Sequence, residues 1–418
     1  MKFESAPVPE QEKEKAPFPQ AEFAIEAYLK EYEGQEDQAE IIRDVLNEFI
    51  LDEMENSGLF EAGESGFEMP YTSINVANLA RRIYRKTTGQ EPSEATSKEE
   101  LKKKQKFILG TSPALEDGDQ FTTVEYAMHD VVKKLPAVLE KIKNGEALDD
   151  EEIFTIGMPT NVLGKIPLES VDKIADQPFD EFGKAYAEFI ASQVKEEVPD
   201  NIEILGMSMG ANFAIRAGEK LMDDGVVTQD HEEAKENNLP FLQIRTDVPV
   251  SLGESSIKKL QIPLGFVADG ALEATRSDVR GNIFGSAGKE FKSYMRGRMA
   301  EKGIEPQMSP EQSKAKNTII RKIIFGLGKG LELRPDTKIT SVYGLKDLTS
   351  VTPGLRREAR EQKEEHEGTL GESIIGRRRE KERRHVANML HLNPWYQKNE
   401  LRRLDKLAET IKDLKQLP

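Results

Sequence analysis

The sequence predicts an α/β protein: a mostly parallel sheet with helices on both faces. Three observations lead there. From about residue 106 onward, short apolar runs alternate with amphipathic stretches, the rhythm of parallel strands joined by crossover helices. Asn201-Ile202-Glu203-Ile204-Leu205 reads as a strand and Ala211 to Met222 as a helix, with only Gly206-Met207-Ser208-Met209-Gly210 between them. The chain has 418 residues, enough for one large domain with additions or for two ordinary ones, and enough to bury a sizeable core.

Taken in order, residues 1–20 (MKFESAPVPEQEKEKAPFPQ) have the charge and proline content of a disordered tail. Residues 21–105 read as a helical N-terminal extension. Ile41, Ile42, Val45, Leu46, Phe49 and Ile50 recur at helix spacing, as do Val76, Leu79, Ala80 and Ile83, and no strand is evident. Residues 106–418 carry the α/β rhythm. Phe107–Gly110 is the first strand candidate, followed by a helix over Val124–Lys143 that Pro136 should kink. Ile153–Ile156 is the next strand. The helix at Phe179–Lys195 lines Phe179, Phe182, Tyr186, Phe189, Ile190 and Val194 along one stripe, expected to land on the strand before Ser208. Further strands fit Phe241–Ile244, Lys338–Tyr343 and Val386–Leu390, and Asn399–Leu414 reads as a terminal helix.

Between about residues 248 and 336 the alternation lapses into helical, Gly-interrupted sequence too long for a simple connection, which reads as a lid insertion. Within it, Gly326-Leu327-Gly328-Lys329-Gly330 lacks the spacing and the preceding strand of a phosphate loop, so it reads as a flexible joint. Arg356–Arg384 mixes both charge signs densely, the pattern of a solvated helix with side-chain pairs; holding an acidic substrate or partner is the alternative.

Composition excludes several classes of function. The balance of 59 Lys+Arg against 75 Asp+Glu gives a net charge of −16, which repels phosphate backbones and anionic membranes, so no nucleic-acid partner is expected. There is no cysteine, hence no disulfide, no thiolate metal site and no thiol nucleophile. No apolar run approaches the roughly 20 residues of a membrane span, and the N-terminus has no signal-peptide core. A cytoplasmic location is expected.

A serine flanked by glycines at this spacing fits a turn too tight for larger neighbours, with its hydroxyl exposed. That hydroxyl is a poor nucleophile until a base takes its proton, and the base is usually a histidine oriented by a carboxylate. Five histidines are available. His129 falls in a predicted helix ahead of the serine, while His231 and His366 sit in polar connecting sequence. His385 and His391 remain.

At this point the order of elements resembles the α/β-hydrolase fold over most of residues 106–418. The resemblance rests on the Ser208 turn, on Val342-Tyr343-Gly344-Leu345-Lys346-Asp347-Leu348-Thr349-Ser350-Val351-Thr352-Pro353, and on His391 after the last predicted strand, with Pro394 and Trp395 beyond. It implies a serine esterase or related acyl hydrolase with a lid: Ser208 as nucleophile, Asp347 as triad acid and His391 as base, in the chain order the fold uses. It also implies an oxyanion hole from the backbone N–H of Met209 and a donor in Gly110-Thr111-Ser112, for which Thr111 is chosen.

The chain departs from the family pattern in four places. Leu109-Gly110 stands where His-Gly is common, Leu390 rather than Gly precedes His391, the two strands that usually come before the Phe107 strand are not evident, and His385 is a rival base. Ala268-Asp269-Gly270-Ala271 resembles the Asp-Gly context of patatin-like lipases, making Asp269 an alternative acid, although their glycine-rich loop is missing from residues 100–200. The expected partner is a small-molecule acyl substrate, with no metal or organic cofactor. Met207 and Met209 beside the nucleophile suit an acyl chain or plain core packing. The alternative function is a non-catalytic scaffold of the same fold, binding a protein through its N-terminal helices and charged late segment.

Overall fold

The computed structural model describes residues 36–92, 103–110, 118–160, 164–196, 198–207, 209–247, 309–326, 334, 336–342 and 398–416. Its elements are α1 (Glu36–Glu55), β1 (Gly58–Glu61), β2 (Glu68–Asn75), α2 (Val76–Thr88), β3 (Lys103–Leu109), α3 (Gly118–Lys143) and β4 (Asp150–Ile156). They continue as α4 (Val171–Asp176), α5 (Pro178–Glu196), β5 (Asn201–Met207), α6 (Gly210–Asp223), α7 (His231–Asn237), β6 (Phe241–Asp247), α8 (Pro310–Gly326), β7 (Ile339–Val342) and α9 (Lys398–Lys415).

Seven strands form one sheet in the order β1-β2-β4-β3-β5-β6-β7. From β4 to β7 every neighbouring pair is parallel, while β1 pairs antiparallel with β2 and β2 antiparallel with β4. Side chains alternate between the two faces. Phe107 and Leu109 of β3 thus enter an apolar core with Phe182, Tyr186 and Phe189 of α5 and Phe213 of α6. Lys106, between them in the alternation, reaches Asp130 of α3 on the opposite face. Phe189 sits edge-on to both Phe107 and Phe154, which stack at 4.9 Å, so the aromatic stripe of α5 lands on β3 and β4 beside the serine strand.

The expectation that residues 21–105 hold no strand is corrected by β1 and β2. This hairpin supplies the antiparallel edge of the sheet, and its two strands are the ones not evident ahead of the Phe107 strand. The strands escape the usual pattern for physical reasons. Pro70 lies inside β2, and its buried positions include Thr72, whose hydroxyl meets that of Thr155 on β4 at 2.5 Å.

Helix α3 continues unbroken through Pro136. Of the stretch expected to form a lid, α8 is described, and it is seated on the body: Ile319 and Ile323 join the main core. Gln312 clamps the backbone of Ile166 from both sides, accepting from its N–H at 3.0 Å and donating to its carbonyl at 2.5 Å. The fully buried Lys316 donates to the carbonyl of Gly164 at 2.9 Å. The expected strand Val386–Leu390, the charged run Arg356–Arg384, the tail 1–20 and Leu327–Gly330 lie outside the described residues.

Candidate active site at the glycine turn

Strand β5 is an inner strand, paired on both sides, and its last residues line up with the ends of β3 and β6 through Leu109↔Gly206 and Met207↔Asp247. Helix α6 begins three residues after β5 ends. Such a reversal brings backbone against backbone. A Cβ on Gly206 would stand 2.2 Å from the carbonyl oxygen of Gly210 and 2.7 Å from Cα of Ala211. A Cβ on Gly210 would stand 2.4 Å from the carbonyl oxygen of Gly110, just past β3. Both glycines of Gly-x-Ser-x-Gly are therefore required by close approach, one within the turn and the other where the turn meets the neighbouring strand end.

Met209 is buried and caps α6 in helical geometry (φ −70°, ψ −30°), its carbonyl accepting from the N–H of Asn212 at 3.0 Å. The first N–H groups of any helix lack carbonyls a turn ahead, and the helix dipole makes this end positive. The end of β5 thus faces the end best able to hold an anion. The Gly110 carbonyl lies directly against this helix start. Of the residues singled out from the sequence, Met209 is placed at the turn. Ser208, Thr111, Asp269, Asp347, His385 and His391 lie outside the described residues, although β5 and α6 bound Ser208 closely on either side and β7 ends five residues before Asp347.

Of the other histidines, His129 falls on α3. His231 opens α7 and stacks on Phe241, the first residue of β6, with ring centroids 3.7 Å apart. That is the end of β6 remote from the Ser208 turn. Among the described residues no group of three or more His, Asp or Glu could hold a metal ion, and no helix is long and apolar enough to cross a membrane.

Two features lie outside the residues singled out from the sequence. Asn212 in the first turn of α6 is fully buried, and neither Nδ2 nor Oδ1 has a partner among the described residues. Nothing in the sequence separates it from an ordinary helix residue. The second is a charged cluster that ties α3 to three strands. Lys106 meets Asp130 at 2.9 Å and Glu203 at 3.4 Å, while Lys134 meets Asp130 at 2.9 Å and also pairs with Glu151. Burial alone would raise the Asp130 pKa, but the flanking Lys106 and Lys134 ammonium groups outweigh it and hold the carboxyl well below the usual carboxylate range. Burial likewise works against the Lys134 charge, and Asp130 and Glu151 outweigh it, raising its pKa. A lysine inside the apolar end of a strand is the sequence signal that could have revealed this cluster.

The mostly parallel seven-stranded sheet, wound with helices and carrying a glycine-lined strand–turn–helix at an inner strand, defines an α/β-hydrolase-like fold. No family model matches the chain, and no curated protein matches it. Among solved structures, an N-formylmaleamic acid deformylase from Pseudomonas putida S16 is similar at 15% identity, covering 72% of this chain and 86% of its own, with a TM-score of 0.26. An esterase from Exiguobacterium antarcticum is similar at 10% identity, covering 75% and 87%, with a TM-score of 0.31. The type II thioesterase BorB from the borrelidin biosynthetic cluster is similar at 14% identity, covering 65% and 82%, with a TM-score of 0.27. At TM-scores this low the likenesses add nothing to what the sheet and its turn define.

Proposed function

We propose that the protein is a serine hydrolase that cleaves an ester or related acyl bond through an acyl-enzyme on Ser208. The observation that carries this reading is the double close approach at the turn: Gly206 against the Gly210 carbonyl, Gly210 against the Gly110 carbonyl. An ordinary turn has no need of two such contacts. A turn that must present a side chain at the strand end while starting a helix does.

In this reading Ser208 attacks the acyl carbonyl while His391 accepts its proton and later delivers it to the leaving group. Asp347 holds the imidazole in the required tautomer. The N–H groups of Met209 and Thr111 bind the oxygen that becomes negative, and water then releases the acyl group. The substrate is a small acyl compound, no cofactor takes part, and the protein works in the cytoplasm.

Labelling by a fluorophosphonate, together with p-nitrophenyl ester hydrolysis, tests this. Wild type should label rapidly, and Ser208→Ala should lose both labelling and turnover. His391→Ala and Asp347→Ala should reduce turnover by orders of magnitude while His385→Ala and Asp269→Ala leave it nearly intact. Full esterase activity in purified Ser208→Ala would sink the reading. Loss with His385→Ala but not His391→Ala would reassign the base alone.

A further inference from the structure

The backbone of Gly164–Ile166 is held from two sides. Lys165 faces β2 and exchanges both main-chain bonds with Glu68, its N–H donating to the Glu68 carbonyl at 2.9 Å and its carbonyl accepting from the Glu68 N–H at 3.0 Å. In extended chain the neighbouring residues turn their N–H and C=O groups the other way. Ile166 accordingly presents both groups to α8, where the single carboxamide of Gln312 meets them at 3.0 and 2.5 Å, and the Gly164 carbonyl accepts from the Lys316 ammonium at 2.9 Å. Two side chains of a helix stand where a further strand would.

The seat has one register. Gln312, Lys316, Ile319 and Ile323 recur at i, i+4, i+7 and i+11 on one face of α8, and all four are buried. An apolar face alone tolerates small slips, whereas bonds to particular backbone groups do not. The segment itself has no room to shift, since a Cβ on Gly164 would stand 2.5 Å from the Pro159 carbonyl oxygen and 2.9 Å from that of Glu68. Lifting α8 would deprive the Ile166 N–H and C=O of their bonds to Gln312 and take a fully buried ammonium off the Gly164 carbonyl, a cost that only entering water relieves.

We propose that Gly164–Ile166 interlocks α8 with the β1–β2 hairpin, so that these two elements, far apart in the chain, open and close as one cooperative unit. Proteins open locally in such units, each with its own stability. The helices α3 and α9, which pack together on the opposite face of the sheet, belong to a different one. Whatever moves α8 is then felt at the sheet edge, and by linkage whatever loosens the edge is felt at α8 to the same extent.

Amide hydrogen exchange on the full chain, resolved by segment, tests this. Gln312→Leu removes both bonds to Ile166 while keeping an apolar body in the seat. Exchange should quicken roughly 10-fold in α8 and by a similar factor in β1 and β2, the scale of leaving buried main-chain groups unpaired, while α3 and α9 stay within about 2-fold of wild type. Helix α5 is the rival route, because it packs against α8 and its Phe189 meets Phe60 and Tyr71 of the hairpin; it too should stay within about 2-fold. Lys165→Ala removes only the side-chain pair with Glu68, keeps the main-chain bonds, and should change neither element. Should Gln312→Leu fail to fold, Gln312→Ala carries the same comparison. Faster exchange in α8 with the hairpin at its wild-type rate overturns the interlock. Acceleration that includes α5 routes the coupling through Phe189 and overturns it as well, as does equal acceleration across α3 and α9, which would make the opening global.

Discussion

The substitution Gly210→Ala reads the turn most directly. The added Cβ would lie 2.4 Å from the Gly110 carbonyl oxygen, against the 3.4 Å at which ordinary contact begins, so about 1 Å must be made up. The neighbour is main chain and cannot rotate away. Nor can it readily shift, since β3 is held by β4 on one side and β5 on the other. The helix start must move instead, carrying Met209 and the serine turn with it. Overpacking of this kind costs about 3 kcal/mol, and Ala in place of Gly in a helix returns up to about 1 kcal/mol. The net of roughly 2 kcal/mol should lower the melting temperature by roughly 4–8 °C, at about 2–4 °C per kcal/mol for a large domain. Activity should fall further than stability, since a 1 Å misplacement can cost about 10²-fold in rate. Melting curves and fluorophosphonate labelling measure the two effects, with Gly63→Ala as control because a Cβ there meets nothing within 4 Å. If Gly210→Ala melted within about 1 °C of wild type and labelled at the same rate, the close approach would not exist and the turn would lose its claim to be an elbow.

Other outcomes follow from the same structure. Gly206→Ala should be at least as damaging, and the double variant should be less than additive because both changes strain one turn, as melting of the single and double variants would reveal. Asp130→Ala leaves Lys106 with Glu203 and Lys134 with Glu151 as their remaining carboxylates, and should cost about 1–3 kcal/mol in urea unfolding. Because the folded pKa of Asp130 is depressed, its contribution is fully present above the ordinary Asp value near 3.9 and is lost as pH falls below it toward the folded value; Asp130→Asn should flatten that part of the stability curve. Gln312→Glu keeps the acceptor for Ile166 N–H but sets a carboxylate oxygen against the Ile166 carbonyl, and should lower stability by about 1–3 kcal/mol, whereas Gln312→Ala would lose both bonds.

Much of the sheet was legible in the chain because parallel inner strands must be apolar enough to bury both faces. Phe107–Gly110, Ile153–Ile156, Asn201–Leu205 and Phe241–Ile244 all mark strands that the structure contains, and Phe179–Lys195 marks α5. The β1–β2 hairpin was hidden because Pro70 interrupts β2 just before its pairing with β4 begins at Tyr71, and because Thr72 satisfies its hydroxyl on Thr155 and so needs no apolar residue. The charged cluster was hidden for a related reason. Lys106, Asp130, Lys134 and Glu151 look like solvated residues one at a time, and only the packing of α3 across β3 and β4 turns them into mutual partners.

The Ser208 turn divides in the same way. Its spacing, the strand before it and the helix after it were determined by local sequence, since a strand-to-helix reversal in so few residues needs glycine wherever backbone must approach backbone. What lies against the turn was decided by tertiary structure alone: the Gly110 carbonyl beside Gly210 comes from a strand about a hundred residues earlier, brought there by the parallel register of β3 and β5. Burial of Asn212 is of that second kind too. Periodicity tells which residues face inward, but only the assembled core decides whether an inward polar group finds a partner.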